Sequence, residues 1–487
     1  MPGNPMTSPH QLSRGGGLIG MRFARGTGRG RLAAWAAFGV LACAGGGLAV
    51  PGASQAQVNP IRHVVVIYLE NHTFDNLLGF WCDGHSGRCP DGGMPSSVTL
   101  SNGAVVRPGT DPDTVPNVSH SVAAQQAAID HGKMDGWQSI PGGSCDAATG
   151  YQCVSGYQPS QIPNITTLAQ DFAISDHTFS LADSPSWGGH MAIVAASQDN
   201  FTGDNPVSVK GVKPGPGWGC DSNKVSPWIS PGGRTEKVPS CVPARIQGLR
   251  FGGAFEQTPV KHISTIMDSL DAAGLSWKLY GANKSQNGYI WSICPSFADC
   301  LDTSQDANLV PDSQFLSDAA GGTLPNFSVV TPGGPDYANS CHNEFSMTAC
   351  DDWVGQLVGA VEKSPNWSST AVFITWDDCG CFYDQVPPGT NPDGSAQGPR
   401  VPVIMVSPYA VSGYTDTTAT TFAGILAYTE QTFGLSPLGA NDAGAYSFAN
   451  AFNYSQAPLK PAPMVDRPLP ASAKRIRLTP ALEKDPT

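Results

Sequence analysis

Charged residues are scarce in this 487-residue chain. Lys, Arg, Asp and Glu make up 14% of it, against roughly 25% in ordinary soluble domains, which argues against a coiled coil. Basic residues are outnumbered by acidic ones, 27 to 39, and no Lys/Arg block follows the first 31 residues. A protein that binds nucleic acid through its phosphates needs a basic face, so that class is disfavoured. Hydrophobic residues make up 40% of the chain, which is enough for a sizeable core.

Long apolar runs are also missing, since none reaches the ~20 residues of a membrane span. The first 56 residues hold five arginines and no acidic residue, followed by an apolar run over 32–41 and then by Ala53-Ser54-Gln55-Ala56. This order predicts a signal peptide over 1–56, cut after Ala56, and a secreted or periplasmic protein. A lipoprotein anchored at Cys43 is the alternative. Removal of the segment takes the net charge from −12 to −17 over the remaining 431 residues.

The cysteines do not follow zinc-site spacing, because no CxxC pair recurs with a second pair or with spaced histidines. Twelve of the thirteen lie beyond the predicted signal peptide, and an even number in an exported chain predicts disulfides. The close pairs are Cys82/Cys89, Cys145/Cys153, Cys220/Cys241, Cys294/Cys300 and Cys341/Cys350. Cys379 and Cys381 remain, and their one-residue spacing would strain a mutual bridge.

Apolar runs rich in β-branched residues predict buried strands over 61–69, 371–376 and 401–406, and residues 275–280 predict a strand nearer a sheet edge. A helical stripe lies between them, with a start at Thr258-Pro259 and an end at Gly274. Strands that alternate with helices indicate a layered α/β domain. Gly/Pro/Cys-rich stretches over 82–115, 138–160, 203–250 and 283–320 are typical of disulfide-clipped insertions.

Two strand ends carry carboxylates. Glu70 and Asn71 follow the first predicted strand, and Asp377 and Asp378 follow the strand over 371–376. Functional groups in open α/β sheets lie beyond the carboxyl ends of strands. Taken alone, Glu70 is best interpreted as a cap of the next helix and Asn71 as a turn residue. The pair Asp377-Asp378, taken alone, is best interpreted as a solvated turn. Together they supply three carboxylates and an amide, which is a plausible cage for a divalent cation.

A third candidate is Ser186, in a run of small residues before an apolar, helix-like stretch. A hydroxyl at a helix N-terminus could act as a nucleophile where the dipole favours an anionic substrate. The Gly-x-Ser-x-Gly elbow of hydrolases is missing, so a Ser-His-Asp esterase is not supported. Taken alone, a serine in this place is more often an N-cap.

Six blocks in order, over roughly 60–455, resemble the phosphoesterase family of bacterial phospholipases C and secreted acid phosphatases, in the alkaline-phosphatase-like superfamily. The blocks are the strand 61–66 with Glu70-Asn71-x-x-Phe74-Asp75, His120 with Gly132–Trp137, Ser186-Trp187, Gly274–Tyr280, His342 with 364–367 and Trp376–Asp384, and Gly398–Pro402 with Ser407–Tyr409.

This resemblance implies a three-layer α/β/α sandwich with a mostly parallel central sheet. It also implies a catalytic domain over 57–456 and a C-terminal tail over 457–487. Glu70, Asn71, Asp377, Asp378 and the Ser186 oxygen would hold a divalent metal ion whose identity is unknown. Metal contact would lower the pKa of the Ser186 hydroxyl for attack on phosphorus, through a phosphoserine intermediate.

The same resemblance assigns His120 and His342 to phosphate contact and to protonation of the leaving group. The chain departs from the family pattern at Gln385, where a histidine is common, and at Gly189, where an asparagine is usual. A further family histidine is absent near 291–297, so the resemblance implies a rebuilt phosphate pocket that includes His190.

The implied function is an exported, metal-dependent phosphoesterase of acid-phosphatase type, because serine rather than threonine at 186 leans that way. Its partner would be a phosphate-ester substrate, with no nucleic acid and no stable membrane span. The first alternative is a phospholipase C that cleaves phospholipid headgroups. The second is a non-catalytic exported binding protein on the same fold, although paired carboxylates are costly to keep without a cation.

Overall fold

The computed structural model describes residues 59–229, 234–245, 261–333 and 339–473. The predicted signal peptide, its cut after Ala56 and Cys43 lie outside these residues. Within them, no helix combines the length and the apolar character needed to cross a lipid bilayer.

The described residues form seventeen strands. In chain order they are β1 (His63–Leu69), β2 (Val98–Thr99), β3 (Val105–Val106), β4 (Gly109–Thr110), β5 (Ser155–Gly156), β6 (Ala173–Ser175), β7 (Thr178–Phe179), β8 (Val207–Ser208), β9 (Lys224–Ile229), β10 (Thr235–Pro239), β11 (Trp277–Tyr280), β12 (Leu309–Val310), β13 (Phe327–Val330), β14 (Thr370–Trp376), β15 (Val403–Val406), β16 (Thr415–Asp416) and β17 (Thr420–Thr421).

Eight of these strands form the central sheet, in the order β12-β11-β13-β1-β14-β15-β6-β16. Every neighbouring pair is parallel except the two pairs made by β15, which is antiparallel to β14 and to β6. The strands predicted over 61–69, 371–376 and 275–280 are present, and β11 lies one strand from the edge. The run over 401–406 also forms a strand, but its direction is opposite to that of its neighbours.

The described part of the chain also forms ten α-helices. They are α1 (Phe74–Asp83), α2 (Val122–Ile129), α3 (Pro163–Asp171), α4 (Ser186–Ala195), α5 (Ile266–Ala273), α6 (Ala298–Leu301), α7 (Gln314–Gly321), α8 (Met347–Glu362), α9 (Ala423–Phe433) and α10 (Ala440–Gly444). Helices α3 and α7 pack on α8, whereas α5 and α9 pack on α4. Because every residue of β14 is buried, both faces of the sheet are covered. The fold is therefore a three-layer α/β/α sandwich with a mostly parallel sheet.

Helix α5 corrects one sequence prediction. Thr258 and Pro259 lie outside the described residues, but the chain over 261–265 is not helical, and α5 begins only after Thr265. The Thr265 hydroxyl accepts from the amide of Asp268, whose carboxylate accepts from the Thr265 amide. This capping box fixes the start seven residues, or about two turns, later than the Thr-Pro signal suggested. The predicted end at Gly274 is correct.

All five predicted disulfide clips are formed. Cys220–Cys241 joins the ends of a stretch that contains β9 and β10, two of the three strands of the small antiparallel sheet β10-β9-β8. The bounds predicted for the insertion over 283–320 are too wide. This stretch includes β12, which is an edge strand of the central sheet, and most of helix α7.

The described part of the predicted tail, 457–473, contains no strand or α-helix and lies along α3 and α8. Arg467 makes ion pairs of 2.7 Å with Asp351 and 2.8 Å with Asp352. The amide of Ala462 donates to Glu362 Oε1 at 2.8 Å. These contacts fix the segment to both ends of α8, with Arg467 near its start and Ala462 at its last residue.

Candidate active site

The carboxyl ends of β1 and β14 lie side by side at one edge of the sheet. The two strands are parallel, with Leu69 opposite Trp376, and the amide of Asp377 donates to the carbonyl of Leu69 at 3.0 Å. The next residues on each strand therefore meet. Glu70, Asn71, Asp377 and Asp378 are all fully buried there.

Asp377 organises this corner through one of its carboxylate oxygens. The backbone amides of Asn71 and Asp378 both donate to Asp377 Oδ1 at 2.8 Å. Asn71 has φ +66, a left-handed conformation that asparagine tolerates better than most residues. Within the described residues, Asp377 Oδ2 and Asn71 Oδ1 are buried without a hydrogen-bond partner. Two acceptor atoms thus remain available for a ligand.

Ser186 is the first residue of α4, and Pro185 occupies the N-cap position. The interpretation of Ser186 as an N-cap is therefore wrong. Its Oγ is fully buried and makes no hydrogen bond with any described residue. A Cβ added at Gly189, one turn along, would lie 2.9 Å from Tyr68 Oη and 3.1 Å from the carbonyl oxygen of Asp377. The first turn of α4 therefore rests directly on the carboxylate corner.

His190 lies four residues after Ser186 on α4, so the two side chains share a helix face. Its Nε2 is 3.1 Å from Glu70 Oε1. Glu70, His190 and Asp377 each offer one ligand atom, all three atoms lie within 4.8 Å of one another, and all three residues are buried. The structure thus places His190 beside the carboxylates, next to the predicted metal ligands.

His120 and His342 lie on the Asn71 side of the same corner. His120 Nε2 is 3.4 Å from Asn71 Nδ2, and the two imidazole rings are 5.6 Å apart, edge to face. The Nδ1 atoms lie near the backbone oxygens of Val118 and Asn343, respectively. The structure therefore brings together all of the sequence-predicted site residues.

Gln385 does not join them. Its amide nitrogen donates to the carbonyl of Gly93 at 3.3 Å, and its backbone amide donates to Asp75 at 3.0 Å. The residue that stands in place of a common family histidine is therefore bonded to the first turn of α1 and to Gly93, and it does not contact the carboxylate corner through these bonds.

Tyr68 is a site residue that the sequence reasoning missed. Its phenol is buried next to His190, with ring centroids 5.6 Å apart, and Oη has no hydrogen-bond partner in the described part of the chain. Burial, and then the charges of Asp377, Glu70 and Asp378, raise the pKa of Tyr68 well above its usual value. The phenol therefore stays protonated and can donate to an anion. Strand alternation was the available signal, because Tyr68 and Glu70 are two residues apart.

The donor set fits a divalent cation. Three adjacent buried carboxylates repel one another unless a cation or hydrogen bonds neutralise them. The unpartnered oxygens of Asn71, Ser186 and Asp377 are hard ligands, and the imidazole of His190 is suited to zinc, iron or copper. The arrangement can therefore hold a metal ion between the strand ends and the first turn of α4.

Comparisons with known proteins agree with this chemistry. The protein-family model described as "Phosphoesterase family" matches residues 61–436 of this sequence. Non-specific phospholipase C6 of Arabidopsis thaliana is 24% identical over 448 residues, which cover 83% of this chain and 75% of the relative. Non-specific phospholipase C1 of the same plant is 25% identical over 391 residues, covering 73% and 62%. Phospholipase C B of Mycobacterium tuberculosis is 28% identical over 223 residues, covering 38% and 40%. The chain thus spans less than two thirds of the length of two of these three curated relatives.

Solved structures resemble the chain more distantly. A protein in the alkaline phosphatase superfamily from Vibrio parahaemolyticus is 13% identical, with a TM-score of 0.33 over 69% of this chain and 71% of that one. Phosphonate monoester hydrolase of Agrobacterium radiobacter is 12% identical, with a TM-score of 0.32 over 77% of this chain and 74% of that one.

Proposed function

The chain belongs to the phosphoesterase family, and from this premise we propose that it hydrolyses phosphate esters with Ser186 as the nucleophile at a metal-holding site. One observation carries the proposal. The buried Ser186 Oγ, which caps no helix, shares a corner with the unpartnered oxygens of Asn71 and Asp377. An activated nucleophile requires a hydroxyl that is not used in a hydrogen bond of the fold and that lies beside groups able to activate it. The buried Ser186 hydroxyl meets this description.

Glu70, Asn71, Asp377, Asp378 and Ser186 would hold the metal ion, and His190 adds an imidazole to the set. When bound, the ion would lower the pKa of the Ser186 hydroxyl and neutralise charge on the phosphate. The N-terminus of α4 favours the same anionic group, because the positive end of the helix dipole lies at Ser186. Local attraction thus lets an acidic protein accept an anionic substrate.

In the proposed reaction, Ser186 Oγ attacks phosphorus and the ester oxygen leaves. His120 or His342 donates the proton that the leaving alkoxide needs, and both imidazoles contact phosphate oxygens. Tyr68 can donate a hydrogen bond to the same anion because its phenol stays protonated. Water then hydrolyses the phosphoserine and restores the Ser186 hydroxyl. Tyr68 is held by β1 and Ser186 by α4, whereas the Nδ1 atoms of His120 and His342 lie near the backbone oxygens of Val118 and Asn343.

Among phosphate esters, we propose a phosphodiester of phospholipase C type as the substrate. The named relatives are phospholipases C. The segment after α4 is tied to the site, because Asn205 Oδ1 accepts from the amide of Trp187 at 2.8 Å. Val207 and Val212 on this segment are exposed, and Lys210 and Lys213 beside them are exposed too. An apolar and basic surface on a segment that is bonded to the first turn of α4 suits a lipid with an anionic phosphate.

A phosphomonoesterase of acid-phosphatase type is the second candidate, and the serine at 186 supports it by resemblance. The non-catalytic alternative has less support, because the whole predicted set of site residues converges on one buried corner. The five disulfides indicate an extracellular or periplasmic protein. We propose that it reaches that compartment through the signal peptide cut after Ala56.

The test measures hydrolysis of p-nitrophenylphosphorylcholine, p-nitrophenyl phosphate and phosphatidylcholine vesicles, with and without a chelator. We expect chelator-sensitive release of phosphocholine and slower cleavage of the monoester. Ser186→Ala should lower kcat by at least about a thousandfold. Ser184→Ala is the matched control, because Ser184 Oγ bonds to Gln198 and takes no part in the reaction. Preference for the monoester would favour the acid phosphatase, and full activity of Ser186→Ala would refute the nucleophile.

A further inference from the structure

The loop after Asp378 makes a tight turn that contains two cysteines. The amide of Phe382 donates to the carbonyl of Cys379 at 3.0 Å, which closes a four-residue turn. Gly380 and Cys381, the two central residues, both have φ +50, the sign found in type I′ turns. Cysteine rarely adopts this left-handed conformation, and the amide of Cys381 donates to Cys379 Sγ at 2.9 Å within the turn.

The two sulfur atoms of this turn lie close together. Cys379 Sγ lies 2.9 Å from Cys381 Sγ, and both side chains are fully buried. Carbon atoms in nonbonded contact lie about 3.5–4.0 Å apart, and sulfur is the larger atom. The turn therefore brings the two thiols closer than packing alone would allow, despite the strain that their spacing suggests.

The other ten cysteines of the described chain are all in disulfides, which form in oxidising compartments. We propose that Cys379 and Cys381 form a sixth disulfide in the exported protein. The two thiols lose two protons and two electrons as the S–S bond forms. The disulfide of a thiol–disulfide oxidoreductase accepts both and becomes a dithiol.

This bond would fix the part of the site that carries Asp378. Gly380 lies inside the three-residue segment that the disulfide closes. Its amide donates to Oδ1 of the preceding Asp378 at 2.6 Å. Gly380 also packs tightly on Asn71, whose carbonyl oxygen would lie only 2.3 Å from an added Cβ. The closed loop therefore holds two of the proposed metal ligands in place, a role that rests on the proposed function.

The disulfide itself is tested on wild-type protein purified from its export compartment. The protein is denatured without reductant, alkylated with iodoacetamide and mapped by peptide mass spectrometry. We expect no alkylated cysteine, and a peptide containing Cys379 and Cys381 that is two hydrogens lighter than its dithiol form. Alkylation of both residues would overturn the proposal. Prior reduction, after which every cysteine is alkylated, is the control.

The positioning role is tested by the metal content and zinc affinity of the Cys379→Ser/Cys381→Ser double variant. Cys82→Ser/Cys89→Ser is the control, because it removes another short-range disulfide, with a separation of 7 residues, that starts on α1. We expect zinc binding to weaken at least about tenfold in the first variant only. Equal weakening in both, or in neither, would refute the positioning role. If the wild type binds no metal, the proposed function fails, while the thiol count still decides the disulfide.

Discussion

His190 and Ser186 lie one turn apart on α4, and each faces the carboxylate corner. His190 Nε2 is 3.1 Å from Glu70 Oε1, in a buried group that also includes Asp377. A neutral imidazole in such a group is a good ligand for a borderline divalent cation, and it selects against calcium and magnesium, which prefer oxygen. The residue thus bears on metal identity as well as on catalysis.

Replacement of His190 should therefore weaken metal binding. We expect His190→Gln to raise the dissociation constant for zinc at least about tenfold, because glutamine keeps the polarity of the side chain but lacks the imidazole. The measurement is metal content after equilibration in a metal buffer. His131→Gln, at an exposed histidine, is the control and should bind as the wild type does. Unchanged zinc content in His190→Gln would assign His190 to the phosphate pocket instead.

At the residue scale, the sequence predicted the positions that follow strand ends and helix starts. Glu70, Asn71, Asp377, Asp378 and Ser186 could be found because local apolar patterns define those ends. The contact between His190 and Glu70 could not be found in this way, because 120 residues separate them. That distance depends on how α4 lies on the sheet, which no local pattern encodes. The position of the Tyr68 phenol, which has no hydrogen-bond partner among the described residues, depends on the same packing of α4.

Among the elements, α4 approaches the sheet closely because its first turn contains Gly189. Beside Gly189 lie the phenol of Tyr68 and the backbone of Asp377, at distances that leave no room for a methyl group. Gly359 on α8 is the contrasting case, because an added Cβ there would make ordinary contacts of 3.7 Å or more. Gly189 is therefore required for the close approach of α4 to the sheet, whereas the site of Gly359 has room for a side chain.

Gly189→Ala should push α4 away from the carboxylate corner. We expect a loss of about 1–3 kcal/mol in the free energy of unfolding, as in other overpacked sites, together with a lower kcat/KM. Gly359→Ala should keep full activity and gain up to about 1 kcal/mol, because alanine favours a helix. Urea unfolding and steady-state kinetics check both variants. Wild-type activity in Gly189→Ala would show that the close approach is not needed.

Elements with long apolar patterns were predictable, and short ones were not. The seven-residue strands β1 and β14 have unmistakable β-branched runs. Strands β6 and β13, with three and four residues, were missed because such runs also occur in buried helices and loops. The antiparallel direction of β15 follows from pairing with β6, a distant segment, and apolar content does not encode strand direction.

Across the whole molecule, buried carboxyl groups set the dependence of stability on pH. Burial raises the pKa of Asp111 and of Glu362 to about 7. Burial and then a hydrogen bond with Asp442 raise the pKa of Glu430 to about 9. Between about pH 4 and pH 7 the folded chain therefore keeps protons that the unfolded chain has released. Their contribution to stability is complete below about pH 4. It is lost as the pH rises through about 7 for Asp111 and Glu362, and through about 9 for Glu430.

We therefore expect the folded protein to be less stable at pH 8 than at pH 6, by on the order of 2 kcal/mol. The Asp111→Asn/Glu362→Gln variant should flatten this slope, because its amides keep an oxygen acceptor for Asn76 and Ala462 but do not ionise. Urea unfolding across pH checks the slope. Stability that rises from pH 6 to pH 8 in the wild type would contradict the burial of these carboxyls.

The overall architecture was predictable because six motif blocks occur in family order, and the disulfide clips because close cysteine pairs are few. The exact layout of the insertions was not, since β12 joins the central sheet from within a Gly/Pro-rich stretch. Such joins depend on long-range pairing across the fold. The substrate class depends in turn on the surfaces that those segments present.

The most direct measurement follows p-nitrophenylphosphorylcholine hydrolysis while chelated protein is titrated with zinc or manganese, in the wild type and in Ser186→Ala. Activity in the chelated wild type should be lost and should return with stoichiometric metal. Ser186→Ala should bind the metal through the remaining ligands and show no turnover. Full activity after chelation, or metal-dependent turnover in Ser186→Ala, would contradict a metal-holding corner that serves Ser186.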